Sequence, residues 1–548
     1  MSDSRYDAVV VGGGHHGTII ACYLARAGMS VLVLERSPHL GGGACSSEGP
    51  APGFLMNHCS HWTRFYGHPA YRDFELHEEG LRYIFPEQNE GMIFDDGSSF
   101  IGYSASRVVD PVTGRQERSE ENVRKTWEQI ARFSQRDAET YLELLGAYEE
   151  HWKGAFRRHR FSVPPPWGTA DPLEELIGMD GTRIEPVHQF MTLGQLARDF
   201  FESPELQILF MRAATTSTGC FPDDVPGLQG LIHCIPLTLS FEPAAIAVGG
   251  SQAITDALVS AGGKLGVEYV TSCDVDRIEV ENGRAVGVHL ADGSRIAADL
   301  VVSNLGLPQT FLRLLRDQPV DGGMLRRIRN IHYDRGQLLW ANLAIEEPPA
   351  YAAESDNPGV GAQPRLYWGP KDLDELSHRY QAEISLHGFA RRPYVLCSVD
   401  SLWDETRAPA GSHIVGVEEF AAPRRLFDGR WPEVKERYMD NLLREWSRYA
   451  PNMTPDNVIA SRVYGPDDIE RRRPDMLEGG YSTGSTIASQ VGRFRPIPEL
   501  TGYRLPIDNL YDCSANLHSG PGIGRGSSLN CFREIALDRS LETEPAVA

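Results

Sequence analysis

The segment from Tyr6 to Glu35 narrows what this chain can fold into more than any other. Tyr6-Asp-Ala-Val-Val-Val11 is a short β-branched run of the kind that forms a buried parallel strand, and it ends in Gly12-Gly-Gly-His15-His-Gly17. Apolar and helix-forming residues follow from Thr18 to Ala27, Gly28 supplies a stop, and Met29-Ser-Val-Leu-Val-Leu34 reads as a second strand that delivers Glu35. The glycine spacing is GxGxxG. Gly12 allows the tight turn, Gly14 lets backbone N–H groups approach a pyrophosphate, and Gly17 lets the helix pack close to the strand. An acid at the second strand end accepts hydrogen bonds from a ribose hydroxyl pair and disfavours a 2′-phosphate. Glycine-rich turns are frequent, but strand, loop, helix, strand and acid in this order predict a dinucleotide site.

Length and composition set the frame around that site. At 548 residues the chain is too long for one hydrophobic core, so at least two domains are expected. Apolar residues make up 41% and charged residues 23%, a globular balance. Lys plus Arg number 53 against 75 Asp plus Glu, a formal net charge of −22, which argues against a nucleic-acid partner. Nine cysteines without a CxxC pair read as reduced thiols, and no set of histidines and carboxylates has metal-ligand spacing. The N-terminus has no basic and apolar leader pattern. Val225 to Phe241 carries no formal charge but is short and holds Pro226 and Pro236. A cytoplasmic protein without a transmembrane segment is expected, with peripheral membrane contact through Val225–Phe241 left open.

Five residues separate Glu35 from Gly41-Gly-Gly43-Ala44. A second glycine cluster at this distance resembles FAD enzymes of the glutathione reductase and flavin amine oxidase type, although the arginine usual after the glycine pair is absent. Gly12-Gly-Gly-His-His-Gly17 is similar to the GxGHNG variant of phytoene-dehydrogenase-like flavoproteins, a group with carotenoid desaturases, a β-carotene ketolase branch and the pyridine nucleotide-disulfide oxidoreductase domain-containing protein 2 type. Ala51-Pro-Gly-Phe54, Asn57, Cys59 and His61 resemble a stretch of the latter two branches, and Val248-Gly-Gly250 resembles a family PxGG segment. Cys273 to Ile278 and Asn282 to Val288 resemble the strand pair with the adenine contact, at Val275. Cys513 to Gly524 is similar to the family element that meets the flavin, with Ser514 for the usual glycine and Pro521 interposed.

The resemblance implies an α/β architecture: a glutathione-reductase-like Rossmann FAD-binding domain, discontinuous over 1–110, 245–325 and 460–540, with an inserted α+β substrate domain from 111–244 and 326–459. Within the insertions, apolar spacing over Glu120–Phe156 predicts an amphipathic helix pair, and runs such as Gly336–Ala344 and Tyr394–Val399 predict a sheet. The FAD contacts implied are Gly12, Gly14, His15, Gly17, Glu35, Arg36, Gly42, Gly43, Val275, Ser514, Gly522 and Ile523. A glycine-rich helix start at the last two would suit partial negative charge on the flavin.

The function implied is dehydrogenation or desaturation of a largely apolar or cyclic organic substrate, with hydride transferred to flavin N5. Oxygen, a quinone or a nicotinamide could accept the electrons, and the oligomeric state is undetermined. A flavin carries the redox chemistry itself, so catalytic residues are hard to read. His58, His61 and His518 are candidates for a base or donor, against a packing role. Arg471-Arg-Arg473 reads as a solvated face. The alternatives are a flavin amine oxidase, weakened by the missing arginine and the want of an aromatic pair in the C-terminal element, a ketolase-like oxygenation, and a flavin-binding scaffold without turnover.

Overall fold

The computed structural model describes residues 5–60, 62–333, 337–422 and 424–542. Its first element is the expected one. Strand β1 (Ala8–Val11) is buried on both faces and runs through the glycine loop into helix α1 (His15–Arg26), and strand β2 (Val31–Leu34) returns beside β1. Three further strands complete a five-stranded sheet: β3 (Glu268–Val270), β4 (Val301–Ser303) and β5 (Leu510–Asp512). Its order is β3-β2-β1-β4-β5, and every pair is parallel, with Val9 opposite Leu32 on one side and Val301 on the other. Parallel strands need both faces covered. Helix α1 packs against Gln252–Lys264 and against helix α2 (Ser527–Arg539), where Tyr23 stacks on Phe532 at 5.2 Å. The sheet is therefore assembled from three separated stretches of chain.

A second, seven-stranded sheet uses Val458–Tyr464, Gln337–Ile345, His413–Ala421, Val395–Val399, Arg365–Gly369, Gln88–Phe94 and Ser99–Tyr103, in that order. Of the two expected runs, 337–344 and 395–399 are thus strands, and Gly336 lies outside the described residues. Near the boundaries expected at 110 and 460, strands 88–94, 99–103 and most of 458–464 hydrogen-bond within this second sheet. The reason lies in the core. Arg365 donates to Glu90 Oε1 at 2.7 Å with both side chains fully buried, a pairing that ties the 88–94 strand to 365–369.

The helix pair expected over 120–156 forms as Glu120–Ala131 and Gln135–Ala147, capped by Ser119 and Ser134, with a third helix at Lys153–Arg160. Val225–Phe241 contains a helix, Gly227–Thr238, with Pro236 inside it and all but His233 buried. That burial places it in the core, where it offers no apolar face to a lipid surface. Among the described residues no helix is long and apolar enough to cross a membrane, and no group of three or more His, Cys, Asp or Glu could hold a metal ion.

Candidate functional site

A cleft of about 1560 Å³, solvent included, runs along the C-terminal ends of β1, β2 and β4, where ligands bind in open parallel sheets. Gly14 is the N-cap of α1 and brings no side chain to the first-turn N–H groups, and that turn holds no acid. Unsatisfied donors at a helix start attract an anion. The two glycine clusters lie against each other: the Gly41 N–H donates to Gly13 O at 2.8 Å, and a Cβ on Gly42 would sit 3.0 Å from Gly14 Cα. Gly12, Gly14, Gly42 and Gly43 all border the cleft. Glu35 is anchored at the end of β2, its Oε2 accepting from the Gly13 N–H and its Oε1 from the Ser37 N–H, both at 2.8 Å. Arg36 and Val275 face the same stretch, with Arg313 held by Asp274 at 2.7 Å.

Gly17 is set apart from these. It does not line the cleft, because a Cβ there would lie 2.2 Å from Gly12 O; its place is where α1 crosses the loop. His15 does line the cleft, and burial depresses its pKa to about 4, so it is neutral.

At the other end Ala515, Pro521, Gly522 and Ile523 close the cleft opposite Cys59, Ser60 and Tyr481. Gly522 and Ile523 belong to a loop; helix α2 begins only at Ser527, so the expected helix start at 522–524 is corrected. Ser514 lies behind the wall, its N–H donating to Asp512 Oδ1 at 2.8 Å. Burial pushes the Asp512 carboxyl up to about 7. A carboxyl raised above its ordinary 3.8 weakens the fold increasingly as pH climbs from there to about 7, and the loss is constant above. Asp512→Asn is therefore expected to match wild type near pH 4 and to exceed its melting temperature at pH 7.5. Thermal unfolding across that range checks this; a gap independent of pH would count against it.

The histidine candidates do not meet at the cleft. His518 is fully buried, its Nε2 2.8 Å from His159 O, and burial depresses its pKa to about 3. His58 lies beside the cleft wall between Ser47 Oγ, 2.8 Å from Nε2, and Arg472, 3.0 Å from Nδ1; burial and the Arg472 charge depress its pKa to about 3. Neither borders the cleft, and His61 lies outside the described residues. The surrounding aromatic run is packing: Phe65 and Tyr66 are buried, and His68 caps helix Pro69–Asp73.

Arg472 and Arg473, read above as a solvated face, border the cleft instead. The Arg473 Nε donates to Gly42 O at 2.8 Å and its Nη2 to Cys45 Sγ at 2.9 Å, so a guanidinium reaches the glycine pair from 430 residues away. Arg471 and Arg472 are both exposed, and Arg473 is the half-buried one of the three. Asn304, whose Nδ2 donates to Gly12 O at 3.1 Å, was also missed as a wall residue; the β-branched run Leu300-Val-Val-Ser303 just before it was the available signal.

A parallel sheet with two glycine loops, an acid at the strand end and one cleft bordered by all three points to an FAD-dependent oxidoreductase. The chain belongs to the family of flavin-containing amine oxidoreductases, whose model matches residues 17–349. It is 27% identical to a limonene dehydrogenase subunit of Castellaniella defragrans, over 98% of this chain and 96% of that one. It is 26% identical to pyridine nucleotide-disulfide oxidoreductase domain-containing protein 2 of Rattus norvegicus, over 97% and 94%. Among solved structures, an oxidoreductase from Methanosarcina mazei shares the fold with a TM-score of 0.59 at 17% identity, covering 97% of this chain and 99% of its own.

Proposed function

We propose that the chain is an FAD-dependent dehydrogenase or desaturase of a largely apolar or cyclic organic substrate, with a glutathione-reductase-like FAD-binding unit rebuilt from three stretches of chain. The observation that carries this is the single cleft joining Gly12–Gly14, Glu35, Gly42–Gly43, Val275 and Gly522–Ile523. In this reading Glu35 receives the adenosine ribose, Val275 packs on the adenine, the α1 start and both glycine loops receive the pyrophosphate, and the ring system lies toward Ala515 and Ile523. Bound FAD supplies a hydride acceptor at N5. The protein's share is to exclude water and hold a C–H bond there; Tyr481 is the one Phe, Tyr or Trp among the described lining residues, which leaves no aromatic pair to cage an amine. The similarity to the limonene dehydrogenase subunit over nearly the full length of both chains supports a cyclic hydrocarbon over an amine.

The purified protein is expected to be yellow, and a monocyclic terpene is expected to bleach its flavin absorbance without oxygen. Bleaching by putrescine or cyclohexylamine instead would shift the reading to amine oxidation. Colourless protein that FAD cannot reconstitute would overturn it.

A further inference from the structure

Beyond the cleft wall lies a buried group of cations that share one nearby acid, Glu242. Its hub is Phe156, in helix Lys153–Arg160. The guanidinium carbon of Arg160 lies 4.6 Å from the Phe156 ring centroid and that of Arg525 5.7 Å, while the His233 ring stacks on the same ring at 5.8 Å and 25°. Arg160, Arg525 and His233 are each mostly buried, yet each keeps some accessible surface. Arg64 adds a further cation beside them, donating to Glu242 O at 3.1 Å.

Among the described residues neither Arg160 nor Arg525 meets a carboxylate. Arg525 Nε donates to Pro521 O at 3.2 Å, and the buried Arg160 Nε has no partner. Glu242, the acid whose field reaches Arg160, pairs with Lys153 at 3.5 Å. Burial, with the charges of Arg160 and Arg495, brings Arg525 down to about 9. Buried guanidinium groups left this way are unfavourable, and a bound anion would offset the cost. In a chain of net charge −22 such a concentration of cations is local and specific.

The cluster adjoins the cleft. Pro521, Gly522 and Ile523 line the cleft, and Arg525 Cγ lies 3.6 Å from where a Gly522 Cβ would be. We propose that Arg525 and Arg160, with Arg64 beside them, form a subsite for a carboxylate carried by an otherwise apolar substrate. This rests on the reading that FAD occupies the cleft. A planar guanidinium matches a carboxylate with two parallel hydrogen bonds, and Phe156 and His233 offer the apolar walls for the adjoining carbon skeleton. Anchoring a remote carboxylate there would orient a C–H bond at the flavin end, so that binding energy far from the reacting atoms serves the hydride step.

The test titrates FAD-loaded protein with cyclohex-3-ene-1-carboxylate and with its uncharged counterpart cyclohex-3-ene-1-methanol, reading the bound-flavin spectrum and, independently, the heat of binding. The carboxylate is expected to bind at least tenfold more tightly than the alcohol. R525M and R160M are each expected to weaken the carboxylate at least tenfold and leave the alcohol unchanged, with R525K between wild type and R525M. Equal affinities for the two probes overturn the inference, as does unchanged carboxylate affinity in either methionine variant, or no carboxylate binding at all in a series from acetate to decanoate. Where a variant fails to fold, the comparison of the two probes on wild type still decides. Failure of the FAD reading gives colourless protein whose heats of binding still favour the carboxylate; failure of this inference gives yellow protein without that preference.

Discussion

Gly17→Ala is expected to strip the protein of most of its FAD. The added methyl would lie 2.2 Å from Gly12 O and 2.8 Å from Asn304 Nδ2. The first of these is backbone and cannot swing aside, so either α1 lifts from the sheet or the glycine loop moves. Overpacking of this kind costs about 1–3 kcal/mol, and here it falls on the donors that face the cleft. FAD retained after purification is expected to fall below about a tenth of wild type, since tenfold corresponds to about 1.4 kcal/mol. Gly146→Ala is the contrast. That glycine lies exposed in helix Gln135–Ala147 with nothing within 4 Å of the new methyl, and the change is expected to raise stability by up to about 1 kcal/mol with FAD content intact. Equal FAD content in the two variants would mean that the α1 crossing does not shape the site.

Glu35→Ala is expected to raise the FAD dissociation constant roughly 10- to 100-fold, the range set by about 1.5–3 kcal/mol for hydrogen bonds to a charged group. Two effects combine. The carboxylate that would accept from the ribose hydroxyls is lost, and the Gly13 and Ser37 amides lose the acceptor they share at 2.8 Å. Glu35→Gln keeps one acceptor oxygen and is expected to lose less. Titration of apoprotein with FAD, followed by quenching of the free-flavin fluorescence, measures both. A constant unchanged in the alanine variant would move the adenosine away from β2.

The segment from Tyr6 to Glu35 was readable because its chemistry is local: each residue that shapes the loop lies within thirty positions of the others, and strand and helix periodicity differ visibly there. The run at Gln337–Ile345 was readable for the same reason. Arg473 was not. Three consecutive arginines look solvated, and only the fold brings Gly42 and Cys45 to them. The strand Gln88–Phe94 was hidden likewise, since Asn89 and Glu90 interrupt its apolar pattern and are buried only because Arg365 and Glu242 O receive them. His58 and His518 drew notice by residue type, yet burial leaves them neutral and away from the cleft. Residue identity reveals chemistry that is contiguous in the chain; which distant side chain completes it depends on packing.

The placement of β5 has a consequence for how the protein is made. Its pairing with Val301–Ser303 closes the sheet under the cleft, yet a ribosome adding roughly 5–20 residues per second reaches it about 25–100 s after β1 has been synthesised. Through that interval β4 presents an unpaired, buried-type edge that invites pairing with other chains. The loop at Gly522–Ile523 arrives later still. On the proposed placement of FAD, a nascent chain holds no complete cofactor cleft until residue 523 has been made.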